Sequence, residues 1–325
     1  MILVEESSHF SRIRSVQGDG LYNKTRGDHA PTAHDPRAIF MRGQPTVRLG
    51  LVVAATLVLS TTTGAQLRQL PDDNLAYPVL VDLGTTTGTG FFVRGERHLF
   101  LVSASHVLLN PDGTTRSPTA VTEALSTDPS ESAKNVLKLD LLTLRKNGDL
   151  QVSADGDLVV IRLAALQSAA ELEPVSGVSI LSETTGTMVA ARLRTLARFA
   201  DVRISNTVVV FGYPLTIGLP ATPQIDFSRP LLRSGIVAGT NTLRKTIILD
   251  VPVNPGNSGG PVLQLPPDAS PGGPLRIIGV VTQFIPFLQD TVPPGPQKIA
   301  TNSGYAVAAS MDPVIDLIAS FEGVQ

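Results

Sequence analysis

A serine in a glycine-rich segment is the strongest chemical signal in this sequence. Residues 255–261 read Pro-Gly-Asn-Ser-Gly-Gly-Pro, which places Ser258 between glycines. Glycine adopts backbone conformations that are costly for other residues, so the amides of Gly256 and Ser258 can converge on one bound oxygen atom. The segment therefore predicts a nucleophilic serine with an oxyanion hole built from Gly256, Asn257 and Ser258.

Two other interpretations fit the same residues. A glycine-rich segment that contains a serine is also typical of an ordinary turn. The spacing Gly256-x-Ser258-x-Gly260 matches the nucleophile elbow of α/β-hydrolases as well, but their catalytic histidine follows the serine in the chain. No histidine follows His106 here, which excludes the α/β-hydrolase interpretation.

A serine hydroxyl needs a base to take its proton, and the imidazole of histidine suits this because it titrates near neutral pH. We expect the mature chain to begin at residue 66. Three of the five histidines precede this residue and would be lost: His9, His29 and His34. His98 lies in the charged turn at residues 94–98. This leaves His106, which follows an apolar run at residues 99–102, as the candidate base.

The imidazole in turn needs a carboxylate that fixes its tautomer. Asp157 is the best candidate, because it immediately precedes the apolar, β-branched run at residues 158–161, which predicts a buried strand. The sequence Asp-Gly-Asp at residues 155–157 would also suit a turn. Asp140 is the second candidate, but it alternates with leucines like a residue on the wet face of a strand.

Several segments together resemble the trypsin-like peptidases, most closely their bacterial HtrA/Deg-like branch. They are residues 87–93 (Thr-Gly-Thr-Gly-Phe-Phe-Val), 103–107 (Ser-Ala-Ser-His-Val), 157–161 (Asp-Leu-Val-Val-Ile), 211–214, 256–261 and 303–307. The resemblance covers roughly residues 79–318, and the order His106, Asp157, Ser258 agrees with it. It implies a serine endopeptidase that acts on protein or peptide substrates.

The same resemblance implies the fold and the substrate pocket. The fold is all-β: two six-stranded barrels of the chymotrypsin type and a C-terminal helix. Pro252 would form the pocket floor, with Thr282, Gln283 and Gly304 among the walls. None of these positions carries a carboxylate, so we expect cleavage after uncharged, small or aliphatic residues.

Two departures from known relatives carry further expectations. Asn257 stands where digestive relatives have an aspartate that pairs with a newly cut N-terminus, so we expect activity without such cleavage. The chain stops after the predicted terminal helix, which leaves no room for the PDZ domain of the HtrA/Deg branch and implies a protease domain acting alone.

The elements that must position these residues are short. After residue 65, β-like runs are separated by Gly, Pro, Asn and Asp, and a helical pattern begins only at Asp312-Pro313. We expect an N-terminal barrel at residues 66–175 and a C-terminal barrel with the terminal helix at residues 176–325.

The first 65 residues have a different character. Residues 1–40 are polar and predict a disordered leader or an over-extended gene start. Residues 41–65 combine a basic stretch, an apolar run at 49–59 and small residues, which is the layout of a signal peptide. The apolar run is short for a membrane span. We therefore expect a secreted or periplasmic protein without a stable membrane span after cleavage.

Composition excludes several classes of function. The 325 residues include no cysteine, which removes thiol nucleophiles, disulfides and sulfur-ligated metals. A net charge of −2 without basic blocks argues against nucleic acid as a partner. We expect no cofactor and no metal. A catalytically inactive binding protein or chaperone with the same fold, or an esterase with the same three residues, remain the alternatives.

Overall fold

The structure is a computed structural model, and nearly all of the residues that it describes follow residue 69. The described residues are 2–6, 10–15, 70–128, 134–154, 157–167, 171–182, 187–214, 224–266, 274–290 and 298–323. All of them belong to one compact unit, residues 1–17 and 69–325, and the second unit, residues 18–68, contains no described residue. The predicted signal peptide at residues 41–65 therefore lies outside the described residues.

Strands dominate the described part of the chain. The strands are β1 Ile2–Glu6, β2 Phe10–Ser15, β3 Pro78–Asp82, β4 Thr87–Arg94, β5 His98–Ala104, β6 Thr119–Leu125, β7 Lys134–Asp140, β8 Leu150–Val152, β9 Leu158–Leu166, β10 Leu172–Pro174, β11 Val178–Ser182, β12 Thr187–Arg192, β13 Thr207–Gly212, β14 Leu231–Asn241, β15 Thr246–Asp250, β16 Pro261–Gln264, β17 Arg276–Asp290 and β18 Lys298–Ser310. The α-helices are α1 Ser105–Leu108, α2 Leu141–Lys146 and α3 Asp312–Glu322, and short 3₁₀ turns occupy Asp72–Ala76, Leu193–Thr195 and Phe199–Asp201.

The second half of the fold is the closed barrel that the sequence predicts. Its six strands follow the order β13-β14-β15-β18-β17-β16, and the last pairs with the first. Closure leaves no free barrel edge along these strands, which is one way in which chains with many short strands avoid edge-to-edge association. The all-β, chymotrypsin-like fold class is thereby confirmed, with α3 after the barrel.

The first half differs from the predicted six-stranded barrel. Strands β1 to β12 form one twelve-stranded sheet, in which β3, β6 and β7 follow one another outward from β4. The outer edge of β7 pairs with β11 instead of closing back on β9, so this half is a half-barrel. Because β11 and β12 belong to this sheet, the predicted boundary between residues 175 and 176 falls within the first half.

The predicted leader contributes two strands to the first sheet. Strands β1 and β2 pair with each other as an antiparallel hairpin, β1 pairs with β10, and β2 pairs with β12. This pairing differs from the disordered leader that was one of our two interpretations of residues 1–40, and the other, an over-extended gene start, stays a prediction. The rest of that segment, from residue 16 onwards, lies outside the described residues.

Three strands of the first half are buried on both faces. Phe92, Leu101 and Ile161 lie in the core of the first half, whereas their neighbours in sequence pack against the second half and α3. These neighbours are Phe91, Val93, Phe100, Val102 and Val160. Burial on both faces explains why the sequence of β5 and β9 is continuously apolar instead of alternating.

The terminal helix closes the packing between the two halves. Its Val314 and Ile318 are fully buried in the shared core. At its last turn, the buried carboxylate of Glu322 accepts hydrogen bonds from the backbone amides of Arg97, at 3.0 Å, and His98, at 3.2 Å. A Cβ atom at Gly95 would lie 2.3 Å from this carboxylate, so a larger residue there would displace the carboxylate.

We predict that Glu322→Ala lowers the free energy of unfolding by about 3 kcal/mol, because two partly buried amides lose their charged, buried acceptor. Urea unfolding followed by circular dichroism measures this difference. The control is Asp316→Ala on the same helix, which removes an exposed ion pair to Arg198 and should cost less than about 1 kcal/mol. Equal losses in the two variants would contradict the assigned role of Glu322.

Candidate active site

Strand pairing brings His106 next to Asp157. His106 lies in α1, two residues after the last residue of β5, and Asp157 immediately precedes β9. Strands β5 and β9 are antiparallel, with Ala104 opposite Leu158. The end of β5 therefore meets the start of β9, and two residues that are 51 positions apart become neighbours.

The Asp157 carboxylate contacts His106 through both of its oxygen atoms. Oδ2 forms a close contact with Nδ1 of the imidazole, and Oδ1 accepts a hydrogen bond from the His106 backbone amide at 2.9 Å. Oδ1 also accepts a hydrogen bond from the hydroxyl of Ser105. These contacts hold the carboxylate against Nδ1 of His106. In a serine hydrolase, Nδ1 is the ring nitrogen that faces away from the nucleophile.

The environment keeps Asp157 ionised. Partial burial raises the pKa of its carboxyl group, but the hydrogen bonds from His106 and Ser105 lower it by more, so the pKa lies below its ordinary value. Both side chains of the pair remain partly accessible, at 36% for Asp157 and 40% for His106. An ionised carboxylate on Nδ1 holds the proton there and leaves Nε2 free to accept one.

Asp140, the second candidate for the carboxylate beside His106, caps a helix instead. It is the N-cap of α2, where its carboxylate accepts hydrogen bonds from the amide of Thr143 at 3.0 Å and from its hydroxyl at 2.8 Å. These bonds lower the pKa of this exposed carboxyl group. Helix capping thus accounts for Asp140 without any catalytic role.

The turn that carries Ser258 is held by its own backbone. Gly256 and Gly259 have φ angles of 94° and 88°, in the left-handed region that favours glycine. The amide of Asn257 donates to the carbonyl of Asn254 at 3.0 Å, and the side chain of Asn257 accepts the amide of Asn254 at the same distance. In the described part of the chain, the amides of Gly256 and Ser258 donate to no backbone carbonyl.

These contacts divide the predicted oxyanion-hole residues into two groups. Gly256 and Ser258 have amides that are available to a bound oxygen, whereas the amide of Asn257 is already bonded within the turn. The side chain of Asn257 is 1% exposed, which leaves it as a structural part of the turn. Asn257 therefore shapes the hole without donating to it.

His106 and Ser258 line one cavity of about 210 Å³. Thr282 and Gln283, two of the predicted pocket residues, also line it. Pro252 and Gly304 do not, and Pro252 is exposed. The other residues that line it are Val253, Asn254, Pro255, Val281 and Phe284.

A second, larger cavity of about 650 Å³ is also lined by His106. Its lining includes His106 and Asp157, and Asn110 and Arg116 from the loop after α1. Thr282 and Gln283 line both cavities. His106 therefore borders two cavities.

Sequence reasoning missed two residues that contact this site. Ser105 donates to Asp157, and Thr89, on β4, donates to the carbonyls of Gly256 and Ser258. Ser105 could have been noticed in the sequence, because it directly precedes the candidate base His106. No local pattern could indicate the second, because Thr89 and Gly256 are 167 positions apart.

Two negative findings apply to the described residues only. Within these ranges no three His, Asp or Glu side chains are grouped closely enough to hold a metal ion. None of the helices described here has the length and apolar character needed to cross a membrane.

A closed barrel beside a β half-barrel, with a serine, a histidine and an aspartate brought together, defines a protein of the chymotrypsin-like class. The family model of the trypsin-like peptidase domain matches residues 88–265, and the chain belongs to this family. The matched range contains His106, Asp157 and Ser258.

The individual relatives are distant. The uncharacterized protein y4bJ of Sinorhizobium fredii (strain NBRC 101917 / NGR234) is 24% identical over 220 residues, which is 67% of this chain and 25% of that protein. The chain thus spans about a quarter of the length of this relative.

Similar solved structures include HtrA- and Deg-type proteins. The HtrA-type protease AlgW with tripeptide is 15% identical, with a TM-score of 0.43, over 77% of this chain and 62% of that chain. Deg5 is 18% identical, with a TM-score of 0.41, over 75% of this chain and 88% of that chain. The serine endoprotease from Yersinia pestis is 15% identical, with a TM-score of 0.39, over 77% of this chain and 63% of that chain.

We predict that Asp157→Asn slows the reaction of Ser258 with a fluorophosphonate by about 1,000- to 10,000-fold, because an amide at this position favours the wrong imidazole tautomer. Stopped-time labelling followed by gel fluorescence measures the rate.

The matched control is Asp140→Asn, which keeps a good helix cap and should react within about twofold of the wild-type rate. An Asp157→Asn protein that reacts as fast as the wild type would contradict the assigned role of Asp157.

Proposed function

We propose that this protein is a serine endopeptidase that hydrolyses peptide bonds through an acyl-enzyme formed on Ser258. The observation that carries the proposal is the cavity lined by both His106 and Ser258, with Asp157 bonded to the far side of the same imidazole. Membership of the trypsin-like peptidase family supports the same reaction class.

The proposed reaction has two halves. Ser258 Oγ attacks the carbonyl carbon of the scissile bond while Nε2 of His106 takes its proton, and the Asp157 carboxylate stabilises the imidazolium that forms. The imidazolium then protonates the departing amine, and the C–N bond breaks. In the second half, His106 takes a proton from water, the resulting hydroxide attacks the acyl group, and Ser258 regains its proton from His106.

The amides of Gly256 and Ser258 stabilise the negative oxygen of both tetrahedral intermediates. Both are free of backbone partners in the described part of the chain, and the glycine conformation at position 256 allows them to converge. In a well-studied serine protease, the loss of one such donor raises the barrier by about 3 to 4 kcal/mol. Much of the proposed rate enhancement therefore comes from this turn.

The open space around His106 favours an endopeptidase over an esterase. A polypeptide cleaved within its length needs room on both sides of the scissile bond. Cavities of about 210 Å³ and 650 Å³ both border His106 and share Thr282 and Gln283 as lining residues. Together they offer room beside the imidazole for more than one residue of a bound polypeptide.

The lining of the smaller cavity supports a preference for uncharged side chains. Its described walls combine apolar residues such as Val253 and Phe284 with uncharged polar ones, and they include no carboxylate. A lysine or arginine side chain would leave its charge unpaired there, which costs several kcal/mol. Small or aliphatic residues before the scissile bond are the proposed preference.

We predict that the purified protein is labelled by a fluorophosphonate and cleaves casein. Ser258→Ala and His106→Ala, which should fold like the wild type by circular dichroism, are expected to lose both activities to the detection limit. Labelling without casein cleavage would favour the esterase. A folded wild type that is not labelled would favour the binding protein or chaperone.

The casein fragments provide a second readout of the same experiment. Mass spectrometry of their ends is expected to show cleavage mainly after small or aliphatic residues. A majority of cuts after lysine or arginine would contradict the proposed pocket.

The proposed location is secreted or periplasmic. The support comes from the basic, apolar and small-residue segments at residues 41–65. We predict that protein recovered outside the cytoplasm begins near Gln66, as N-terminal mass spectrometry would show. Exported protein that retains residues 41–65 would contradict the signal-peptide interpretation.

A further inference from the structure

Thr89 is a fully buried residue of β4 that connects the first sheet to the turn of Ser258. Its amide donates to the carbonyl of Ser258 at 2.8 Å, and its hydroxyl donates to the carbonyl of Gly256 at 2.6 Å. The hydroxyl oxygen also accepts the amide of Tyr213 at 3.0 Å, and the Thr89 carbonyl accepts the hydroxyl of Ser103 at 2.7 Å. Both the hydroxyl and the backbone of Thr89 are therefore engaged.

The contacts to Gly256 and Ser258 hold two peptide planes of the turn. In the plane that joins residues 256 and 257, the carbonyl is held by Thr89 and the amide by the carbonyl of Asn254. In the plane that joins residues 258 and 259, the carbonyl is held by Thr89 and the amide by the carbonyl of Val281. Each plane is fixed at both ends.

The plane between these two carries the amide of Ser258. Its carbonyl, that of Asn257, accepts the amide of Gly260 at 3.0 Å, and its own amide is left for a bound oxygen. The direction of this amide therefore depends on the planes on both sides of it, and Thr89 holds both.

The hydroxyl of Thr89 matters because Gly256 has little steric resistance to rotation. Without a donor at its carbonyl, the plane between residues 256 and 257 can turn. A carbonyl dipole that turns towards the cavity would oppose the negative oxygen that the hole must stabilise. The hydroxyl removes this freedom before substrate binds.

We propose that Thr89 is a positioning residue for the oxyanion hole: its hydroxyl and amide hold the turn so that the amide of Ser258 points into the cavity. This inference rests on the proposed peptidase function. Thr89 itself touches no substrate, since it is fully buried beneath the turn.

Thr89→Val tests the inference, because valine keeps the shape and the backbone amide but removes the hydroxyl. We expect kcat for a peptide substrate to fall by about 10- to 100-fold while KM changes by less than about threefold, since the lost stabilisation belongs to the transition state. The affinity for a peptide boronic acid, whose adduct places an oxygen in the hole, should fall by a similar factor.

Two variants serve as controls. Thr89→Ser keeps the hydroxyl and should retain kcat within about threefold of the wild type. Ser103→Ala removes a buried hydrogen bond to the carbonyl of Thr89 and leaves the hydroxyl and amide of Thr89 in place. It should leave kcat within about threefold of the wild type. If Thr89→Val does not fold, Thr89→Ala carries the same expectation, with folding checked by circular dichroism.

The outcomes separate this inference from the proposed function. An active wild type with Thr89→Val as fast as Thr89→Ser would overturn the positioning role alone. An equal loss of kcat in Ser103→Ala would show a general effect of buried hydrogen bonds and would overturn it too. A wild type without any turnover would overturn the proposed function, and the role of Thr89 would fall with it.

Discussion

The shared hydrophobic core between the two halves is the constraint on which the site depends. His106 and Asp157 are attached to the first sheet, whereas Ser258 belongs to the second half, so the three side chains meet only if the halves are held in a fixed arrangement. Phe100 and Val160 from the first half pack in the same cluster as Phe211 and Val280 from the second. Burying a side chain of this size contributes about 1.5 to 3 kcal/mol, which makes the cluster a strong source of rigidity.

Hydrogen bonds orient the turn of Ser258, which the hydrophobic core alone does not fix. The core fixes the positions of strands, but the direction of a single amide depends on hydrogen bonds within the turn. The turn of Ser258 is bonded to Thr89 in the first half and to Val281 in the second, and internally between Asn254 and Asn257. The candidate oxyanion hole is therefore preorganised before substrate arrives, which is the condition for electrostatic stabilisation without reorganisation.

Local sequence signals indicated the candidate site residues that depend on local structure. Ser258 was visible from its glycines, and Asp157 from the apolar run that follows it. The second barrel followed from the resemblance to the trypsin-like peptidases, and its short strands agreed with it. The first half was predicted less well, because the pairing of β11 with β7 and of β1 with β10 joins segments that are distant in sequence. No local pattern specifies such partners.

The residues that line the pocket were likewise only partly predictable from the sequence. Thr282 and Gln283 were predicted to line it, but Pro252 and Gly304 were not found there, and Val253 and Phe284 were. The pairing of β17 with β18 changes register between Val281 and Gln283, and again between Phe284 and Pro286. Bulges of this kind redirect side chains, so alternation along the sequence cannot predict which residue faces the cavity.

The central claim is that Ser258 becomes covalently acylated during turnover. Rapid quenching of the purified protein during hydrolysis of an activated peptide ester, followed by mass spectrometry of its fragments, tests this most directly. The account predicts an acyl group on the fragment that contains Ser258, which forms faster than it decays and disappears after the ester is consumed. Turnover with no acyl group on the protein, or with the group on another residue, would contradict the account.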